Sequence, residues 1–122
     1  MKIRIRGASV RLRLSRPEVA RIVGEGRIEE ATPFAAGTFT YALQKTAEGD
    51  ALTADFRSGT ITMYVPQLLI KDWDTNAVVG MDAHMALPGG GTLHLLLEKD
   101  FQCIDQSAED QSDNYENPNQ HC

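Results

Sequence analysis

The chain has 122 residues, 42% hydrophobic and 24% charged, with a formal net charge of −5. That length favours one domain with a core large enough to need no staples, and the apolar content excludes wholesale disorder. No apolar run approaches the roughly 18–20 residues of a membrane helix, and the first residues lack a signal-peptide apolar region, so the expectation is a cytoplasmic protein with no membrane partner. The net charge conceals an asymmetry. Residues 1–27 carry eight Lys and Arg against Glu18 and Glu25 and net +6, whereas residues 98–122 carry seven carboxylates against Lys99 and net −6.

The opening KIRIRGASVRLRL predicts a β-hairpin. Ile3, Ile5, Val10, Leu12 and Leu14 recur with period two and share a face, with charges between them. Gly7 suits the first loop position of a type II′ turn. A two-residue loop at Gly7-Ala8 pairs Ile5 with Val10 and Ile3 with Leu12, which also sets Arg4 opposite Arg11 and Lys2 opposite Arg13. A helix follows, because Ser15 and Glu18 have capping-box spacing and Leu14 and Val19 are placed for a hydrophobic staple. Val19, Ile22 and Val23 form its apolar stripe, and Gly24 and Gly26 stop it.

Strands are expected at 27–31 and 38–44, broken apart by Pro33 and Gly37; in the second, Phe39, Tyr41 and Leu43 share a face. ALTADFR-SG-TITMYV is the clearest hairpin. A turn at Ser58-Gly59 pairs Phe56 with Ile61, Ala54 with Met63 and Leu52 with Val65, so turn and pattern agree on one register. Pro66 is placed to open a short helix through about Trp73, with Leu69, Ile70 and Trp73 facing inward. Strands at about 78–86 and 92–98 are joined by Pro88-Gly89-Gly90-Gly91. From 105 onward the chain is polar and acidic, a tail that is disordered or laid on the surface of a single domain spanning 1–104.

This order predicts an α+β fold with a mainly antiparallel sheet of about eight short strands and two short helices. The connections between successive strands are too short for parallel crossovers, and a partial barrel is left open. KIRIRGxSxRLRLS at the start, LLLEKDFQC near the end and the tail residues Glu109, Asp110, Ser112, Asp113, Asn114, Asn117 and Pro118 together resemble a small bacterial protein family of unknown function, along the full length. The resemblance implies a bacterial, stand-alone, cytoplasmic domain, and it brings no activity and no catalytic residue to carry over.

Three groups of residues carry chemistry. The first is a cationic plate of Lys2, Arg4, Arg6, Arg11 and Arg13. Like charges opposite one another on paired strands are destabilising, so they need compensation from an anionic ligand, whose oxygens suit Arg forks, or from the chain's own Glu98, Asp100, Glu109 and Asp110. Nucleic acid is disfavoured by the overall acidic charge. The second is a cluster of Asp82, His84, His94 and Glu98. It follows if Leu87 pairs with Leu93, which puts Asp82 across from Glu98 and makes the histidines diagonal neighbours, a set able to hold zinc or another divalent ion or to act in acid–base work. The third is Cys103 with His121 and Cys122, which a folded-back tail would join in a thiolate/imidazole site suited to zinc, against the alternative of a disordered tail; a disulfide between the cysteines needs an oxidising setting, and two cysteines are too few for a disulfide scaffold.

No Walker motif, strand–GxGxxG–helix, GxSxG, HExxH, paired CxxC or nucleic-acid-binding signature is present. The glycine-rich 88–92 segment lacks the Lys of a phosphate loop, and 105–116 lacks EF-hand spacing. No cofactor is implied. The reading that follows is a non-catalytic binding or interaction module whose cationic β-face takes an anionic protein or a small anion, with exposed sheet edges that allow a homodimer. The alternatives are a small metal protein or enzyme built on the His/carboxylate cluster, and a structural domain whose plate is covered by its own acidic tail.

Overall fold

Hairpin chemistry builds most of the chain. The computed structural model describes residues 1–101; the acidic segment from 105, with Glu109 and Asp110, and the group Cys103, His121 and Cys122 lie outside the described residues. Strands β1 (Lys2–Ile5) and β2 (Ser9–Leu14) pair in the expected register, Ile5 with Val10, Ile3 with Leu12, Arg4 with Arg11 and Lys2 with Arg13. Gly7 takes φ 53°, the left-handed geometry that a type II′ turn needs at its first loop position. Helix α1 (Arg16–Gly24) begins at Ser15, whose backbone N–H donates to Glu18 Oε1 at 2.8 Å while its hydroxyl donates to the same oxygen at 2.9 Å. Val19 and Ile22 are buried, as their spacing predicts.

The next two hairpins form one sheet. β3 (Arg27–Phe34) runs through Pro33, past the predicted end at 31, and turns at 35–36 into β4 (Gly37–Thr46). Pro33 is tolerated because β3 is an edge strand, where one side has no ladder to supply. β5 (Thr53–Arg57) and β6 (Thr60–Pro66) pair Phe56 with Ile61 and Ala54 with Met63, with Ser58 at φ 50° and Gly59 at φ 75° between them. Two consecutive positive φ values define a type I′ turn, the twist-matched closure of a two-residue hairpin. Pro66 ends β6 instead of opening an α-helix. Only a 3-10 turn, Gln67–Ile70, follows it, so the predicted second helix is reduced to this turn. The inward residues are as expected, since Ile70 and Trp73 are buried.

β7 (Gly80–Ala86) and β8 (Thr92–Lys99) form the last hairpin. The eight strands make two four-stranded sheets, ordered β1-β2-β8-β7 and β3-β4-β6-β5. This corrects the expectation of one mainly antiparallel sheet: there are two, each mixed, although most pairings are antiparallel. Each sheet joins two antiparallel hairpins through their second strands, and those central pairs, β2 with β8 and β4 with β6, are parallel. The short-loop argument governs only successive strands; here the parallel partners are separated by other strands. No closed barrel forms among the described residues.

One core unites the layers. Val10, Leu12, Leu14, Leu95 and Leu97 from the first sheet meet Ile28, Leu43, Met63 and Val65 from the second, with Val19 and Ile22 of α1, Leu52, Ile70 and Trp73. The Trp73 indole N–H donates to the Val78 carbonyl at 2.8 Å, which satisfies the polar end of a fully buried ring. Among the described residues no helix is long and apolar enough to cross a membrane.

Candidate functional site

The alternation of β2 and β8 commits one face of the first sheet to the core and delivers the other to solvent. Because Val10, Leu12, Leu95 and Leu97 point inward, their neighbours Ser9, Arg11, Arg13, His94, Leu96 and Glu98 point outward. The registers then arrange this outer face in rows. Lys2, Arg13, Glu98 and Gly80 form one row, and Arg4, Arg11, Leu96 and Asp82 the next; Ser9, His94 and His84 form a third, which Arg6 joins through its backbone N–H to Ser9 O at 3.0 Å. The cationic plate and the His/carboxylate cluster are therefore two halves of a single face.

On the cationic half, the chain supplies part of the compensation itself. Arg11 Nε lies 3.4 Å and Arg13 Nε 3.5 Å from the same Glu98 oxygen, and Lys2 Nζ lies 2.8 Å from Asp100. Glu98 and Asp100 are thus the two described carboxylates that reach the plate. Arg11 Nε is nonetheless buried without a hydrogen-bond partner among the described residues, its 3.4 Å approach to Glu98 being an ion pair only. Arg4 and Arg6 are exposed, and no carboxylate forms an ion pair with either among the described residues.

The second half differs from its expected geometry. β8 is shifted by two residues against β7 relative to the Leu87–Leu93 register: Met85 pairs with Leu93, Ala83 with Leu95 and Asp82 with Leu96. A shift of two preserves the faces but changes the partners. His84 now sits directly opposite His94, and Glu98 leaves the cluster to face Gly80 and pair with the arginines. Gly80 accommodates this register, since an added Cβ there would clash with the Leu97 carbonyl oxygen and lie 2.9 Å from Glu98 Cα. Only glycine permits that close passage. The cluster becomes Asp82, His84 and His94, whose ligand atoms all lie within 4.8 Å of one another. His94 Nε2 and Asp82 Oδ2 are 2.9 Å apart, and the two imidazoles stack with centroids 4.2 Å apart at 6°.

A third polar group joins the sheets at another edge. The Met1 ammonium is paired with Glu18 Oε2 and lies 2.8 Å from Glu30 Oε2, while the Tyr41 hydroxyl donates to the Met1 carbonyl at 3.1 Å. Burial pulls the ammonium pKa down, but Glu18 and Glu30 outweigh it and hold the value above the ordinary 8.0. Burial pushes the Glu18 carboxyl up, and the ammonium with the two Ser15 donors outweighs that, leaving it below 4.5. Tyr41 is raised above 10.0 by burial and then by the charges of Glu30 and Glu18.

Sequence reasoning missed two things at this site. One is that both groups share a face; the other is Ser9, which aligns with His94. Both depend on the parallel β2–β8 pairing, for which no local pattern exists. No curated protein and no solved structure matches the chain. A family profile does: the chain belongs to the family of unknown function DUF7009, which matches residues 1–119.

Proposed function

We propose that the protein is a non-catalytic binding module that presents the cationic half of the outer face, Arg4, Arg6, Arg11 and Arg13, to an anionic group. The observation that carries this reading is the Arg11 guanidinium, whose Nε is buried and unpartnered while Glu98 divides one oxygen between it and Arg13. Among the described residues Glu98 alone serves both guanidiniums and makes no hydrogen bond to Arg11 Nε, and a carboxylate or phosphate meeting the exposed N–H groups of Arg4 and Arg13 adds the anionic charge this face lacks. Arg4, directly opposite Arg11, completes a pair of forks for bidentate capture. The occupant is a partner protein's carboxylates or a small anion in a cytoplasmic setting, and nucleic acid is disfavoured by the net charge. A domain ending near 104, followed by an acidic tail, belongs to the same reading, as does a homodimer through the exposed edges β1 and β7.

A second reading is favoured by the ion pairs of Lys2 with Asp100 and of Arg11 and Arg13 with Glu98. In it the face is structural, and the chain's own carboxylates are its intended partners. Titration with tripolyphosphate, followed through the arginine side-chain NMR signals, separates the two. The module predicts salt-sensitive binding that weakens roughly tenfold or more when Arg4 and Arg11 are both replaced by Ala. If that double variant melts far below the wild type while tripolyphosphate perturbs neither protein, the face is structural.

A further inference from the structure

The other half of the outer face supports an inference that stands whether or not the cationic half takes an anion. We propose that Asp82, His84 and His94 form a binding site for a divalent transition metal, with zinc the ion their chemistry suits best.

The donor set is two imidazole nitrogens and one carboxylate oxygen, a combination that zinc accepts in open sites with water completing the shell. Its placement follows from backbone geometry. His84 and His94 are directly opposite on adjacent antiparallel strands, so their Cβ atoms are about 4.5–5.5 Å apart. Asp82 precedes His84 by two residues and shares its face. The three donors come from the interior of two paired strands, which hold their ligands more firmly than loops do.

The distances are close to those an ion requires. Ligands about 2.0–2.1 Å from a tetrahedral ion are separated from one another by roughly 3.3 Å. His94 Nε2 and Asp82 Oδ2 stand 2.9 Å apart, and all three donors lie within 4.8 Å. One adjustment is needed. Parallel stacked rings point their in-plane lone pairs side by side, whereas a shared ion needs the ring planes to converge. His84 is exposed and has no hydrogen-bond partner among the described residues, so its ring is free to rotate toward the ion without breaking a bond. A bound ion would replace the hydrogen bond between His94 Nε2 and Asp82 Oδ2, with the proton between them passing to His94 Nδ1 or to solvent. Arg11 and Arg13 oppose a nearby cation, but Glu98 stands on the strand between Arg13 and β7 and offsets them.

The test is calorimetric titration of ZnCl2 into the full chain purified without a histidine tag. The expected result is one zinc per chain, with the His84 and His94 ring signals shifting in NMR spectra. Replacing both histidines by Ala removes two of the three ligands and should abolish stoichiometric zinc binding, while leaving the melting temperature of the metal-free protein unchanged, because the side chains lie on the solvent face. Asp82→Asn should produce a smaller loss. Zinc retained at full stoichiometry by the His84→Ala/His94→Ala variant and lost from a Cys103→Ser/Cys122→Ser variant overturns the site. The absence of any zinc heat in the wild type overturns it as well.

Discussion

The sheet β3-β4-β6-β5 is drawn from one stretch, Arg27–Pro66, whereas β1-β2-β8-β7 is assembled from the flanks, Lys2–Leu14 and Gly80–Lys99. Both use the same plan of two hairpins joined by a parallel central pair. Their outer faces diverge. In the contiguous sheet the central strands present Thr40, Gln44, Thr62 and Tyr64 on the face away from Leu43 and Met63, while the flank sheet presents Arg11, Arg13, Glu98 and His94. The common plan explains stability, and the candidate chemistry is confined to the sheet that exists only when distant parts of the chain meet.

The largest test asks whether the sheets are one cooperative unit. Leu97→Ala and Met63→Ala remove fully buried side chains from the centre of each sheet, and each should cost about 2–5 kcal/mol in urea denaturation. Since both side chains belong to one core, both variants should retain a single transition. Two separated transitions in either would divide the molecule at the sheet boundary. Gly80→Ala should cost about 1–3 kcal/mol by forcing β7 away from Leu97 and Glu98. Gly59→Ala, strained at φ 75° with Thr38 O 3.3 Å from the new Cβ, should cost about 1 kcal/mol in the contiguous sheet. Gly80→Ala should also alter zinc binding, and Gly59→Ala should not.

Charge removal separates the two faces at smaller amplitude. Glu98→Gln should change stability by less than about 1 kcal/mol, since its ion pairs are partly solvated, yet strengthen tripolyphosphate binding by freeing Arg11 and Arg13. The matching change in the contiguous sheet, Asp55→Asn, removes the pair with Arg57 and should leave tripolyphosphate titrations unaltered. The smallest effect concerns the clip from Met1 to Glu18 and to Glu30 of β3. Glu18 has a depressed pKa, so its contribution is present above 4.5 and lost as pH falls through the folded value. The ammonium has a raised pKa, so its contribution is present below 8.0 and lost as pH rises through the folded value. Thermal melts across pH should show a shallow plateau between these limits, with limbs below about 1 kcal/mol; Glu18→Gln should remove the acid limb and only reduce the alkaline one, since Glu30 still holds the ammonium.

What was legible in the sequence was local. The registers of β1–β2 and β5–β6 follow from Gly7 and Ser58-Gly59 together with period-two patterning, and the start of α1 follows from Ser15 and Glu18. Where the turn was ambiguous the register was lost: Pro88 to Gly91 permits several loop lengths, and the apolar run Leu93, Leu95, Leu97 matches Ala83, Met85 and Leu87 equally well when slipped by two. The slip did not disturb the faces, so Asp82, His84 and His94 stayed together while Glu98 did not. The parallel seams carried no signal, because β2 and β8 contact through residues as remote as Ser9 and His94.

That remote seam has a consequence before the molecule is complete. The β1–β2 hairpin cannot cover Val10, Leu12 and Leu14 until β8 arrives, and pairings between distant residues form late because their loop-closure entropy must be met first. In the interval β2 is an unpaired apolar edge, of the kind that recruits a neighbouring chain. Lys2, Arg4, Arg11 and Arg13 alternate with those apolar residues and repel a second copy of the same hairpin, the role of gatekeeper charges beside an aggregation-prone strand. The arginines that make the mature face cationic thus also guard the strand against self-association while the fold is unfinished.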